Sequence, residues 1–294
     1  MKKSFTAAAL AALTATALAA TAAGAAVPGT VSGDGGDRIA LLKGDGTALV
    51  KAGELSAAWT VEGEGVKQIV IAGNRIGILK DNGSALVKEG DLSAAWTLEA
   101  ANVKQLALSG DRVGIVKDNG TAYVKEGPLH SAWTLEGDSV KELQLSGNRI
   151  GILKGNGNAL VKEGPLDAAW TGQADHTLHL SLSGNRVGVL RGNGTALVKE
   201  GSLGAQWTLE ADGAAQLELS RDRIGVLTDD GNALVKEGSL GAEWTLEAAD
   251  TSQLALSGNR IGIVKDNGTA YVKEGPLWAA WTLEGENVTE LALS

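Results

Sequence analysis

Short apolar stretches alternate with short polar ones along the chain, and the stretch from Gly73 to Ser109 shows the pattern. Arg75 to Lys80 is apolar and rich in β-branched residues. Asp81-Asn82-Gly83 then turns the chain, because Asn-Gly supplies the positive-φ residues of a tight hairpin. Ser84 to Lys88 runs back, and Gly90 breaks it. A loop leads to a third run, Ala95 to Glu99, on which Ala94, Trp96 and Leu98 share one face. After a second polar stretch comes Lys104 to Ser109, and Ser109-Gly110-Asp111 turns into the next apolar run, which begins at Arg112. Four short runs bounded by turn residues predict four β-strands, and no segment shows sustained helical spacing.

The pattern recurs. Trp followed by Thr stands at Trp59, Trp96, Trp133, Trp170, Trp207, Trp244 and Trp281, every 37 residues. Counted from Gly36, seven such units end at Ser294. A four-stranded unit of this length is what one propeller blade needs. A trefoil would need three units, and a solenoid would want polar capping ends. The last unit, with Leu291-Ala292-Leu293, is as apolar as the middle ones. The expected fold is therefore all-β, a seven-bladed β-propeller over residues 36–294. The repeat phase begins at a second strand, Arg38 to Lys43, and ends on a first strand, Glu290 to Ser294. The C-terminal strand is expected to complete the N-terminal blade, which removes an open edge. Val31-Ser32, which imitates the Leu-Ser of the turn, is its competitor for that place.

Composition changes this picture at the N-terminus. Lys2 and Lys3 precede an Ala/Leu/Thr-rich run that ends in Ala23-Gly24-Ala25-Ala26. Residues 1–26 are expected to be a removable export signal, with 27–35 a short linker and a secreted mature chain. Loss of the two lysines takes the net charge from −9 to −11. That acidic balance argues against nucleic acid and anionic membranes as partners. No second apolar run is long enough for membrane insertion. The chain has no Cys. Its stability must come from burying Leu, Ile, Val, Ala and Trp.

Candidate chemistry is also repeated. Each Trp either fills the wedge between blades, where Gly77 and its equivalents leave room, or offers an indole platform to a sugar ring. Arg38, Arg75, Arg112, Arg149, Arg186, Arg223 and Arg260 each follow Asn or Asp. They either clamp carbonyls and carboxylates at the turn or, with Asn74, Asn148, Asn185 and Asn259, grip sugar hydroxyls. Lys88-Glu89 and its copies read as solvated edge charges. The Asp-Asn-Gly turns lack the spaced carboxylates of a calcium loop, and the N-x-[ST] sequons largely coincide with them. His176 and His179 face opposite sides of a strand, and His130 is alone in a loop, so no metal and no cofactor is expected. Trp278 is an extra indole in the last unit. Nothing forms a nucleophile–base pair, a phosphate loop or a zinc motif, so an enzyme is not expected.

The order of an apolar strand ending in Ser-Gly, an Arg-Ile-Gly-Ile-Leu strand, a Gly turn, an Ala-Leu-Val-Lys strand and then Ala-Trp-Thr resembles the tectonin and tachylectin-like group of propeller lectins. The likeness covers residues 36–294. It implies a multivalent carbohydrate-binding protein with glycans held in shallow pockets between blades, at the Trp, Arg and Asn positions named above. The alternative is a protein-interaction scaffold or envelope component, in which the non-repeating Trp278, His176, His179 and Arg221 matter more.

Overall fold

The alternation of apolar and polar residues carries into four antiparallel strands per repeat. In the second blade these are the inner strand Val66–Ala72, then Arg75–Lys80, Ala85–Glu89 and the outer strand Thr97–Ala100. The structure, a computed structural model, describes residues 37–294. The expected export signal, the linker and Val31-Ser32 lie outside the described residues. The described residues fall within a single compact unit, 34–294. Its seven sheets of four strands make a seven-bladed propeller.

The ring closes as the repeat phase predicts. Val288–Leu293 pairs with Arg38–Lys43, with Leu41 opposite Leu291, and becomes the inner strand of the first blade. The second strand of each blade is buried on both faces, because a neighbouring sheet covers each side.

Glycine sets how closely the blades approach. A Cβ on Gly77 would lie 2.6 Å from Leu106 Cδ2 of the next blade. The room at Gly77 is thus filled by Leu106, Leu108 and Val70, not by Trp as the repeat suggested. The first blade carries Ala40 at this position, and the facing blade presents Ile69 and Ile71 instead of two leucines. The second strand's far turn also differs from the Asn-Gly expectation: only Gly83 has positive φ, at +80°. Gly83 N–H donates to Lys80 O, and Lys80 N–H to Ser84 O. That is a longer hairpin closed by one left-handed glycine.

A second device joins the inner strands. Gln68 Nε2 donates to Leu106 O at 3.1 Å, and Leu106 N–H donates back to Gln68 Oε1 at 2.9 Å. Gln105, Gln216 and Gln253 clasp Leu143, Leu254 and Leu291 in the same way. Glu290 takes this position on the closing strand and accepts from Ile69 N–H at 3.4 Å. Burial pushes its carboxyl up to about 7. A protonated carboxyl is the nearest chemical equivalent of the glutamine amide, since it too has one donor and one acceptor.

Candidate binding face

Antiparallel order brings three recurring residues to one rim of the ring. Arg75 begins the second strand, Lys88 lies one residue from the end of the third, and Trp96 immediately precedes the outer strand. Trp96 is therefore in the loop before Thr97–Ala100, not on the strand, and Leu98 beyond it is 63% exposed rather than sharing a buried face.

The arginines lie under this rim, each 3–4% exposed. Arg75 Nη2 donates across the seam to Gly127 O of the next blade at 2.7 Å. Its Nε donates to Glu89 Oε2 at 3.0 Å. All seven arginines reach the next blade in this way, and Arg260 closes the ring onto Gly53 at 2.6 Å. The first blade has Ala52 where the others have the rim glutamate, so Arg38 Nε is buried without a hydrogen-bond partner. Burial lowers the Arg38 pKa, partly opposed by the charges of Glu62 and Asp91.

The lysines are not solvated edge residues: the seven are 2–4% exposed. Lys88 donates to Leu92 O and pairs with Glu62 of the preceding blade, both side chains at 2% exposure. Its ammonium lies 5.0 Å from the Trp96 ring centroid. The seven Trp rings sit 4.7–5.0 Å from such a lysine, a cation–π distance. Burial raises the pKa of Glu136, Glu210, Glu247 and Glu284, and the paired lysine and the nearby arginine offset part of that rise. Each Trp is partly buried in the seam. Asn74, Asn148, Asn185 and Asn259 are exposed on the same rim, their carbonyls accepting from Gly90, Gly164, Gly201 and Gly275.

Two irregularities interrupt the repetition on this rim. Trp278, in the loop of the seventh blade, is 87% exposed. Arg221 in the sixth blade adopts φ +43°, where five other blades have a glycine near φ +54°. A left-handed non-glycine residue is strained, and such strain gathers at functional positions. A cavity of about 440 Å³ opens here, lined by Asp37, Arg221, Asp222, Arg223, Glu237, Gly258 and Asn259.

A third irregularity lies in the central channel, a cavity of about 320 Å³ bounded by the inner strands. His179 Nδ1 is 2.9 Å from Glu142 Oε1, which also accepts from Gln144 Nε2 at 2.6 Å. Burial alone would lower the His179 pKa, but the bond to Glu142 and the charges of Glu142 and Glu218 leave it raised. Burial raises Glu218. His176 is exposed beside Asp175, and His130 is exposed in its loop. Among the described residues no group of His, Cys, Asp and Glu is arranged to hold a metal.

Sequence reasoning missed the buried lysine–glutamate pairs, although Lys88 recurs in all seven units, like Trp, and Glu99 in six. It also missed the third inner-strand position, whose Gln, Glu and His identities hide a shared location.

No protein-family model matches the chain. No curated protein is similar to it in sequence. Solved structures share its fold. Yeast RCC1 (Prp20), solved with Kap60 bound, aligns at 9% identity over 71% of this chain and 70% of that one, with a TM-score of 0.59. Human WBSCR16 aligns at 8% identity over 81% and 88%, with a TM-score of 0.57. YCF48 bound to D1 peptide aligns at 11% identity over 74% and 83%, with a TM-score of 0.53. At these identities the likeness is one of fold: the chain is a seven-bladed β-propeller of repeated blades, similar in architecture to RCC1-like propellers.

Proposed function

We propose that this propeller is a non-catalytic docking platform for a protein partner, which binds the rim over the sixth, seventh and first blades with Trp278 as its anchor. The observation that carries this reading is the contrast at the rim. The recurring Lys and Arg donors are engaged inside the seams, whereas Trp278 projects with 87% of its surface exposed. Aromatic anchors of this kind dominate protein interfaces. Asp37, Asp222 and Glu243 are exposed on the same part of the rim, which suits a partner segment that is basic as well as apolar. Two propellers of similar fold were solved with Kap60 and with a peptide bound. The N-terminal segment read as an export signal puts the partner outside the cytoplasm in this reading.

The test is photo-crosslinking from position 278, with capture by the wild-type protein and by Trp278→Ala. A discrete partner should crosslink, its capture should fall at least tenfold in Trp278→Ala, and raised salt should weaken it. Capture that is unchanged in the variant contradicts the proposal. The partly exposed Trp residues, on the rim that also carries exposed Asn74, Asn148, Asn185 and Asn259, favour a second reading, in which the seams take glycans as the tectonin resemblance implies. Saturable quenching of Trp fluorescence by an oligosaccharide, undiminished in Trp278→Ala, would favour it over the docking platform.

A further inference from the structure

One seam differs from the other six in its buried charge. Lys51, Lys88, Lys125, Lys162, Lys236 and Lys273 each pair with a glutamate of the preceding blade. Lys199 has no such partner, because the fourth blade carries Thr171-Gly172-Gln173 where the others have a glutamate in third place. Lys199 is 4% exposed. Its ammonium donates to Leu203 O and lies 4.7 Å from the Trp207 ring.

The rest of that seam is also cationic. Arg149 reaches across it to Gly201 O at 2.6 Å, two residues beyond Lys199. Its other terminal nitrogen, Nη1, is buried with no hydrogen-bond partner, as it is in all seven seam arginines. Glu163 neutralises Arg149 only from the rim, where it is 42% exposed. Gln173 turns Nε2 back to Thr171 O at 3.2 Å and leaves Oε1 buried without a partner. The six other seams set one buried carboxylate against one buried lysine and one buried arginine. Here the same two cations have no buried carboxylate. An unpaired buried charge is among the least favourable features a protein interior can hold.

We propose that the seam between the fourth and fifth blades binds a small carboxylate, which takes the place of the missing glutamate between Lys199 and Arg149. The charge requirement is for one anion. A carboxylate offers an acceptor oxygen to the ammonium and its charge to the guanidinium, as the glutamates of the other seams do. Formate and acetate match the glutamate head group in size. Burial lowers the Lys199 pKa, with the Arg149 charge adding to the effect, and a bound anion reverses that tendency. The seam reaches solvent beside the partly buried Trp207, and the loop tip there is Gly204 where the seventh blade has Trp278.

Sodium formate is exchanged for sodium chloride at constant ionic strength with the full chain, and Tm and the ¹³C-formate linewidth are recorded. The wild type should gain about 3 °C once formate exceeds its dissociation constant tenfold, and the formate line should broaden. In Gln173→Glu the starting Tm should be higher, with no formate-specific gain and no broadening. Lys199→Met should likewise lose the response. No formate-specific response in the wild type overturns the proposal. So does an equal response in Gln173→Glu, or in Lys199→Met should Gln173→Glu not fold.

Discussion

The outer part of each seam and the wall of the central channel lie in the same sheets, yet one repeats and the other does not. At the rim, Arg recurs in all seven seams, Lys and Trp likewise, and the glutamate in all but one. On the inner strands the matching position is Gln68, Gln105, Glu142, His179, Gln216, Gln253 or Glu290. The difference follows from what each place demands. In six of the seven seams a carboxylate, a carbonyl and an aromatic face hold the buried ammonium together, and few other sets of side chains supply all three. The inner position needs only a group that hydrogen-bonds its neighbour, which an amide, a neutral carboxyl or an imidazole each does. Repetition therefore marks residues that hold the ring together, and departures from it mark places free to acquire another role.

The comparison is broken most forcefully at a complete seam. Lys88→Met leaves buried Glu62 without its paired lysine and should lower stability by about 3–5 kcal/mol, read by urea unfolding. Lys199→Met orphans no carboxylate and should cost less than about 1 kcal/mol. Equal losses would show that the pairing is incidental.

Glu290 sharpens the channel side. Its folded pKa lies near 7, above its unfolded value, so the stabilisation from its proton is complete at low pH and is lost as pH rises through 7. Glu290→Gln should gain about 2–3 kcal/mol over the wild type near pH 8 and nothing near pH 5, measured as paired urea midpoints. Gly77→Ala should destabilise by about 1–3 kcal/mol through overpacking. Leu106→Ile with Leu108→Ile, the pair found opposite Ala40, should recover part of the loss. The smallest effect is Ala52→Glu, which gives Arg38 its missing rim partner and should raise stability by about 0.5–1 kcal/mol.

Much of this was legible in the chain. Apolar alternation and the 37-residue spacing of Trp59 to Trp281 predict the blades, their number and the closing strand. Arg75 was legible as a turn clamp only as one of two readings, and the carbonyl and carboxylate it reaches show the clamp. Lys88 misleads because a lysine beside a glutamate at a strand end reads as solvated. Only the pairing of neighbouring blades shows that Lys88 meets Glu62 from another repeat, 26 residues earlier. Gly77 shows that room must exist but not that Leu106 fills it. The significance of Gln173 is visible in the sequence only as a departure, and its meaning needs the six intact seams beside it.

The central claim is that buried lysine–glutamate pairs across the seams hold the ring, and reciprocal exchange tests it most directly. Glu99→Gln copies the natural state of the Lys199 seam into the Lys125 seam, and Gln173→Glu does the reverse. Urea unfolding should show a loss of about 3 kcal/mol in the first and a gain in the second, with the double variant near the wild type because the sites lie in separate seams. A neutral Glu99→Gln together with a destabilising Gln173→Glu would contradict the claim.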